Sequence, residues 1–372
     1  MTTKNPLFTY LTTVILAVIF ICPINTLADE NNHEHHKHEN HHEIHANENT
    51  LANKDIHHKE KFNPGDMIMH HVLDAHEWHV MDIGEKHITI PLPIIIYSKE
   101  RGLFFFSSKK FNHGYSSYKG FSYDHGHIVP LNNDESIYDL SITKNVLAMF
   151  VCMFIMLWIF ISIANKYTKN KKQAPKGLQS FLEPLIVFVR DDIAKPSIGE
   201  NKYNKYMPFL LTIFFFIWIS NMLGLVPFFP GGANVTGNIA VPLVLAMFTF
   251  VITLLSSNKH YWSHIFNPPV PLAVKFILVP IELLGVLTKP LVLILRLFAN
   301  ITAGHIVILS FVSLIFIFAD IGGNIAGYGA SIISVGFLVF SGLLEILVAF
   351  LQAFVFTLLS AIYFGMVQED HH

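Results

Sequence analysis

The chain has 372 residues, of which 52% are hydrophobic and 14% charged, with a formal net charge of −2 at neutral pH. No basic patch of the kind that binds nucleic acid is present. The two cysteines, Cys22 and Cys152, each lie inside an apolar stretch, which excludes a disulfide framework or a cysteine metal site. The average hides two halves. Residues 29–143 are polar and His-rich, whereas residues 145–366 are dominated by Leu, Ile, Val and Phe. Several apolar runs reach the roughly 20 residues that a spanning helix needs. The expected fold class is an all-α polytopic membrane protein of about five spans, the last two long and tilted, behind a small β-rich and disordered extracytoplasmic segment.

Taken in chain order, residues 1–28 read as a secretory signal. Lys4 gives a positive start, Leu11 to Ile21 an apolar core, and Thr26-Leu27-Ala28 a small-residue cleavage site. Residues 29–61 form a His-rich segment expected to be disordered, with nine histidines between residues 30 and 61 among Glu, Asn and Lys. Residues 62–143 hold short β-like pieces. The β-branched, Pro-interrupted stretch Ile88–Tyr97 suits edge strands, and Leu103–Ser107 is a further strand. The membrane domain is expected over 145–366. Val146–Ala164 is its first span, and Lys166, Lys169, Lys171, Lys172 and Lys176 behind it mark the cytoplasmic side. The N-terminus is then extracytoplasmic and the C-terminus cytoplasmic. Residues 177–194 mix Leu178, Phe181, Leu182 and Leu185 with Glu183, Arg190, Asp191 and Asp192, the pattern of a helix lying at the interface. Spans follow at Met207–Phe228 and Ile239–Ser256. A Pro-rich stretch at 267–271 leads into two long helices, Ala273–Phe318 and Ser331–Met366, with Pro280 and Pro290 as bend points.

The informative residue is Arg296, because no other Lys or Arg occurs from residue 290 to the C-terminus. An arginine at bilayer depth costs at least ~2.5–3.5 kcal/mol on insertion scales and faces a partner, a water cavity or an ion path. Lys275, Glu282, Lys289 and Arg296 recur every seven residues, close to two helical turns, so they form one polar stripe that Asn300 extends. Gly322-Gly323-Asn324 has the composition of a tight reversal. Folding the two long helices antiparallel about it sets Arg296 level with Gln352, and His305 level with Glu345. The second pair lies nine residues from the first, roughly 13 Å along the axis and about 180° around it. A histidine beside a carboxylate suits proton passage near neutral pH, whereas arginine acts only as a permanent charge. A divalent-metal transporter, suggested by the His-rich tract, is the alternative from another class. It is disfavoured by the single intramembrane His–carboxylate pair and by the repulsion of a cation by Arg296. A passive scaffold leaves Arg296 unexplained.

Lys289-Pro290, Arg296-Leu297-Phe298-Ala299-Asn300 and Ala303-Gly304, with Leu351-Gln352-Ala353-Phe354-Val355-Phe356, resemble subunit a of the F-type ATP synthase over residues 145–366. The resemblance does not extend to the polar head. It implies a proton-translocation role for Arg296, Gln352, His305, Glu345, Asn300 and Glu282. Arg296 would face the carboxylates of a c-ring, with Gln352 beside it and Asn300 and Glu282 on the cytoplasmic path. His305 and Glu345 stand where many bacterial members have glutamate and histidine, so the two groups are exchanged but both retained. Many relatives carry an aspartate in the connection before the third helix, where Asn234 stands here. The implied partners are the c-ring, the subunit b stalk, the other synthase subunits, the lipid bilayer and protons, in a bacterial inner membrane. No cofactor or metal is implied. No phosphate-cradling glycine motif occurs, so nucleotide chemistry falls to another subunit.

Overall fold

The computed structural model describes residues 63–83, 86–114, 116–124, 126–132, 135–169, 175–226 and 229–368. The expected leader and the His-rich segment lie outside the described residues. A short helix α1 (Pro64–Val72) opens the described chain, its N-terminus capped by the Asn63 side chain on the Gly65 amide. Seven strands follow: β1 (Glu77–Ile83), β2 (Lys86–Pro91), β3 (Pro93–Ser98), β4 (Gly102–Ser107), β5 (Phe121–Asp124), β6 (His127–Pro130) and β7 (Ile137–Asp139). The β-branched stretch read as one Pro-interrupted unit is two strands, broken at Leu92, because proline at 91 and 93 removes ladder donors on either side.

β1 and β2 form an antiparallel pair with a bulge at His79/Met81, and β5 and β6 form another. β4, β3 and β7 make a three-stranded antiparallel sheet in that order. Alternation along β3 buries Ile94 and Ile96, which join Phe106, Phe111, Phe121 and Ile128 in a small core. Arg101 locks the rim. Its guanidinium donates to both Glu135 oxygens at 2.8 and 2.6 Å while stacking over Phe104 and Phe121.

The helical part starts with α2 (Lys144–Lys169). Ala148, Cys152 and Met156 line its buried face, with Met149 and Met153 alongside, and Phe154 and Trp158 stand out on the opposite face. The interfacial segment is α3 (Leu178–Phe188), continued by a π-helical turn at Val189–Ala194 and by α4 (Lys195–Ile198). The central helix α5 (Tyr203–Leu225) is buried on every side from Phe209 to Phe216. It is followed by α6 (Ala240–Leu255), a short helix α7 (Lys259–Phe266) and α8 (Leu272–Met366).

Helix α8 is 95 residues long and departs from helical dihedrals at Gly323, where φ is +72° and ψ −173°. That conformation is open essentially to glycine alone, so the reversal takes one residue and both arms stay helical up to it. The expected loop between Phe318 and Ser331 is therefore absent. Helical dihedrals run on through Pro280 and Pro290. Phe311 stacks on Phe337 across the arms at 5.2 Å. Among the described residues, α2, α5 and α8 are long and apolar enough to cross a membrane, and α6 is a shorter apolar helix. The expectation of five spans counts α6 and takes the two arms of α8 separately.

Both arms pack on α5 and α6. An aromatic group of Phe188, Phe214, Trp218, Phe350 and Phe354 joins the α3–π segment, α5 and the second arm. At the end remote from the strands, Gln368 donates to Tyr206 Oη and to the Ser256 carbonyl. The β-domain is not a separate body. Trp78 of β1 is buried in the helical core and meets Phe229 edge-on at 5.2 Å.

Two outcomes are expected. Gly323→Ala meets no neighbour, since nothing lies within 4 Å of the added carbon, so its cost is the backbone strain of about 1–3 kcal/mol. A thermal melt of the purified complex should show a lowered midpoint, and an unchanged one would place the reversal elsewhere. Glu135 is held below the ordinary carboxylate range, first by its hydrogen bond from Arg101 and then by one from Ser98. Its stabilising share is present at neutral pH and lost as pH falls through the depressed folded value. Hydrogen-exchange protection of β5 and β6 should therefore fall on acidification in the native chain, and should be low and less pH-sensitive in Arg101→Ala.

Candidate ion-translocation site

Helix α8 presents its polar groups on two faces. Arg296 and Asn300 are exposed on the outer side of the first arm, amid exposed Val292, Leu295 and Val307. His305, nine residues on, points the other way. Its ring approaches Gly224 of α5, where a β-carbon would lie 3.6 Å from Nε2, and its Nδ1 is 4.0 Å from Glu345 Oε1. Glu345 is only 5% exposed and neither carboxylate oxygen has a hydrogen-bond partner. Close approach of the arms makes this possible. A β-carbon on Gly304 would fall 2.7 Å from Glu345 Oε1, so only glycine leaves room for the carboxylate there.

The antiparallel register expected from the sequence brings His305 to Glu345 and Phe311 to Phe337. Gln352 shares that register with Arg296; it is buried while Arg296 is exposed. The Arg296 side is thus open in the isolated chain, whereas the His305 side is roofed by protein. The roof is the connection from α5 to α6. Thr302 Oγ1 donates to the Gly237 carbonyl at 3.5 Å, Thr236 donates to Asn221 Oδ1, and Asn221 Nδ2 donates to the Ala349 carbonyl. Asn234 is buried in this connection and its Oδ1 accepts from the Gly237 amide.

Toward the remote end, Glu282 and Lys289 continue the stripe. Lys289 lies over the rings of both Tyr261 and Tyr363, at 5.9 and 5.7 Å. Burial, and then the Glu282 carboxylate, push the Tyr261 phenol up. A small cavity bounded by Thr249, Thr253, Tyr261, Lys289 and Tyr363 opens beside them. The hydrogen bond from Lys275 to Asn267 ties the start of α8 to the Pro-rich stretch.

Sequence reasoning passed over Tyr261, Tyr363, Asn221 and Thr236. The two tyrosines could have been sought as interfacial aromatics. The Asn221–Thr236 link joins residues fifteen apart across a helix end and leaves no periodic trace. Among the described residues no group of three His, Cys, Asp or Glu side chains is arranged to hold a metal.

Fold and site together define a polytopic membrane protein with a roofed His–carboxylate pair and an exposed cation on opposite faces of one helix, the equipment of an ion-translocating membrane subunit. The family model described as ATP synthase A chain matches residues 146–365, and one described as a domain of unknown function matches residues 67–148. The chain is 46% identical to ATP synthase subunit a of Chloroherpeton thalassium, over 63% of this chain and 69% of the relative. It is 37% identical to ATP synthase subunit a of Chlorobium phaeobacteroides, over 96% and 93%. With ATP synthase subunit a 2 of Prosthecochloris aestuarii the identity is 40%, over 82% and 81%. The chain belongs to the ATP synthase A chain family, the subunit a proteins that form the proton-channel stator of the Fo membrane sector.

Gly304→Ala isolates the importance of the His305–Glu345 approach. The atom in the way is the tip of a flexible side chain, so the fold should persist and the carboxylate should move. Proton conductance is expected to fall roughly ten- to a hundredfold, the scale set by misplacing a reacting group by about 1 Å. The measurement is dye-reported proton uptake by vesicles stripped of the catalytic sector, at matched subunit abundance.

Proposed function

We propose that His305 and Glu345 form the titratable relay of one proton half-channel, and that Arg296, with Gln352 level with it, is the fixed charge separating that half-channel from the other. The observation that carries this reading is the division of one helix into two faces. The His305–Glu345 pair is enclosed by protein and 4.0 Å apart, while Arg296 is exposed on the opposite side. A deep cation facing outward from the isolated chain needs a partner of opposite charge, and a ring of c subunits bearing carboxylates meets that requirement.

In this reading protons arrive on the side of the membrane that carries the β-domain, which is the extracytoplasmic side, and pass between His305 and Glu345. Each then neutralises a ring carboxylate. The neutral carboxyl moves into lipid, and after nearly a full turn gives up its proton to a path along Asn300 and Glu282 toward the cytoplasm. Arg296 favours the ionised carboxylate as it passes, because opposite charges attract strongly in a site of low dielectric, and its positive charge blocks protons from crossing directly. A membrane potential supplies about 2.3 kcal/mol per charge per 100 mV to drive the cycle. The b stalk would hold this chain against the ring's torque. The Lys residues at the remote end of α2 support the stated orientation by the positive-inside rule.

ATP synthesis driven by a proton gradient in membrane vesicles tests the stator charge. Arg296→Ala should reduce synthesis to background with the complex intact, and retained synthesis would refute the assignment. The relay is tested by exchange. His305→Glu alone or Glu345→His alone should lower the rate by roughly a hundredfold, the scale of a lost acid–base group. The double exchange, which restores one imidazole and one carboxylate, should recover most of it. A double variant as inactive as the singles would show that the pair does not work as an interchangeable unit.

A further inference from the structure

The three-stranded sheet has two unlike faces. Ile94 and Ile96 of β3 point into the small core and are fully buried. The alternate residues form the opposite face. Across it, Leu103 of β4, Tyr97 of β3 and Tyr138 of β7 stand opposite one another in register, and all three are exposed, Leu103 to 66%. A second row runs beside the first. Phe105, 67% exposed, stands opposite Ile95, whose carbonyl accepts from the Leu140 amide at 2.8 Å. Leu140 lies two residues beyond Tyr138, on the same face, and is exposed. A continuous apolar face of this kind marks a surface that binds something.

Its place in the chain decides what it meets. β7 runs into α2 with almost no slack. The Ile142 amide still donates to the Pro93 carbonyl at 3.2 Å. At the next residue the helix cap begins, where the Thr143 hydroxyl donates to Asp74 at 2.7 Å and Asp74 accepts from the Asn145 amide at 3.0 Å. The apolar run of α2 starts at Val146, so the sheet begins at the boundary of the hydrocarbon. At no more than ~3.6 Å per residue, Tyr138 lies within about 22 Å of the first residue of α2. Tyrosine is enriched at that level of a bilayer, because its ring is apolar and its hydroxyl can stay wet.

The rim of the face is basic. Residues 99–119 hold Lys99, Arg101, Lys109, Lys110 and Lys119 against one acid, Glu100. Arg101 is committed to Glu135. Lys99 Nζ lies 5.5 Å over the ring of Tyr138, on the apolar face itself. Lys109 and Lys110 follow directly on the end of β4 and are exposed. Lysine stems laid along apolar surface with their ammonium groups at its edge match a phospholipid layer, which has acyl carbon inside and phosphate outside. A protein partner would need an acidic rim around its own apolar patch. The bilayer beside α2 presents both without further design.

We propose that the outer face of the β4–β3–β7 sheet rests on the bilayer that α2 crosses, with Leu103 and Phe105 among acyl chains and Lys99, Lys109 and Lys110 at anionic phospholipid headgroups. The β-domain is then held by the helical core through Trp78 and by lipid through this sheet. None of this depends on the roles given to His305, Glu345 and Arg296.

The test is spin labelling of the whole synthase in vesicles of phosphatidylcholine and phosphatidylglycerol in equal parts. Leu103→Cys and Phe105→Cys carry the nitroxide, and both sites are exposed, so the fold should persist. Native Cys152 is buried, and the unsubstituted chain taken through the same labelling gives the background. Each label should collide several-fold more often with oxygen, which concentrates among acyl chains, than with a water-soluble nickel chelate. Adding Lys109→Glu and Lys110→Glu, or using phosphatidylcholine alone, should raise the nickel collisions, since each lysine near an anionic surface shifts a surface equilibrium about fivefold. Labels dominated by nickel collisions in the anionic vesicles put the face in water and overturn the proposal. Labels immobilised and shielded from both reagents reveal a protein cover, whether another subunit or residues 1–62 of this chain, and overturn it equally. Lipid contact indifferent to both changes of charge would overturn the part assigned to the headgroups.

Discussion

Ionisable side chains are tolerable at membrane depth only where protein or water faces them, and in this chain a single backbone reversal decides which ones those are. Gly323 turns a 95-residue helix back on itself through dihedrals that only glycine adopts without strain. Because the arms remain helical to the turn, the register between them is rigid over their whole length. That register sets His305 against Glu345 and Phe311 against Phe337. A displacement of one residue along an arm would rotate each group by about 100° and separate the titratable pair. The room for the carboxylate depends equally on Gly304, whose missing side chain lets the arms close.

The same helix needs a second, opposite property. Nine residues rotate the chain by half a turn, so His305 can be enclosed while Arg296 remains exposed. The enclosed face is roofed by the α5–α6 connection, whose hydrogen bonds reach Thr302 and, through Asn221, Ala349. The exposed face offers a cation among aliphatic side chains. Among the described residues no ion pair balances Arg296, and the proposed role of this surface therefore calls on a partner of opposite charge. In the proposed two-path channel a titratable pair must be kept apart from a permanent charge, and this helix holds His305 and Arg296 on opposite faces.

The β-domain is bound to the membrane helices by packing and by charge. Trp78 inserts into the helical core, α1 lies on α8, and Asp74 caps α2 from about seventy residues away in sequence. Its own core of Ile94, Ile96, Phe106, Phe111, Phe121 and Ile128 is small, and a core of that size gives only a narrow margin of stability. The Arg101–Glu135 pair with its two aromatic rings closes the rim of that core. The attachment sets Trp78 against Phe229 of the α5–α6 connection and Met67 against Ser313 of the first arm of α8.

The apolar runs, the seven-residue polar stripe and the Gly-Gly reversal were all legible in the chain itself. They rest on local rules: how many residues cross a bilayer, how a helix repeats, and which residue accepts a positive φ. From them followed the hairpin, the His305–Glu345 level and the opposition of Arg296 to His305. The β-branched stretch Ile88–Tyr97 likewise announced β2 and β3, and Leu103–Ser107 announced β4, although the break at Leu92 did not show. What only the tertiary structure decided are contacts between segments with no shared period: Asp74 on the start of α2, Tyr261 and Tyr363 around Lys289, and Thr236 on Asn221. Helical and strand periodicity report which face of an element is apolar. They carry no record of which distant polar group meets that element's end, because that choice is made when the elements pack.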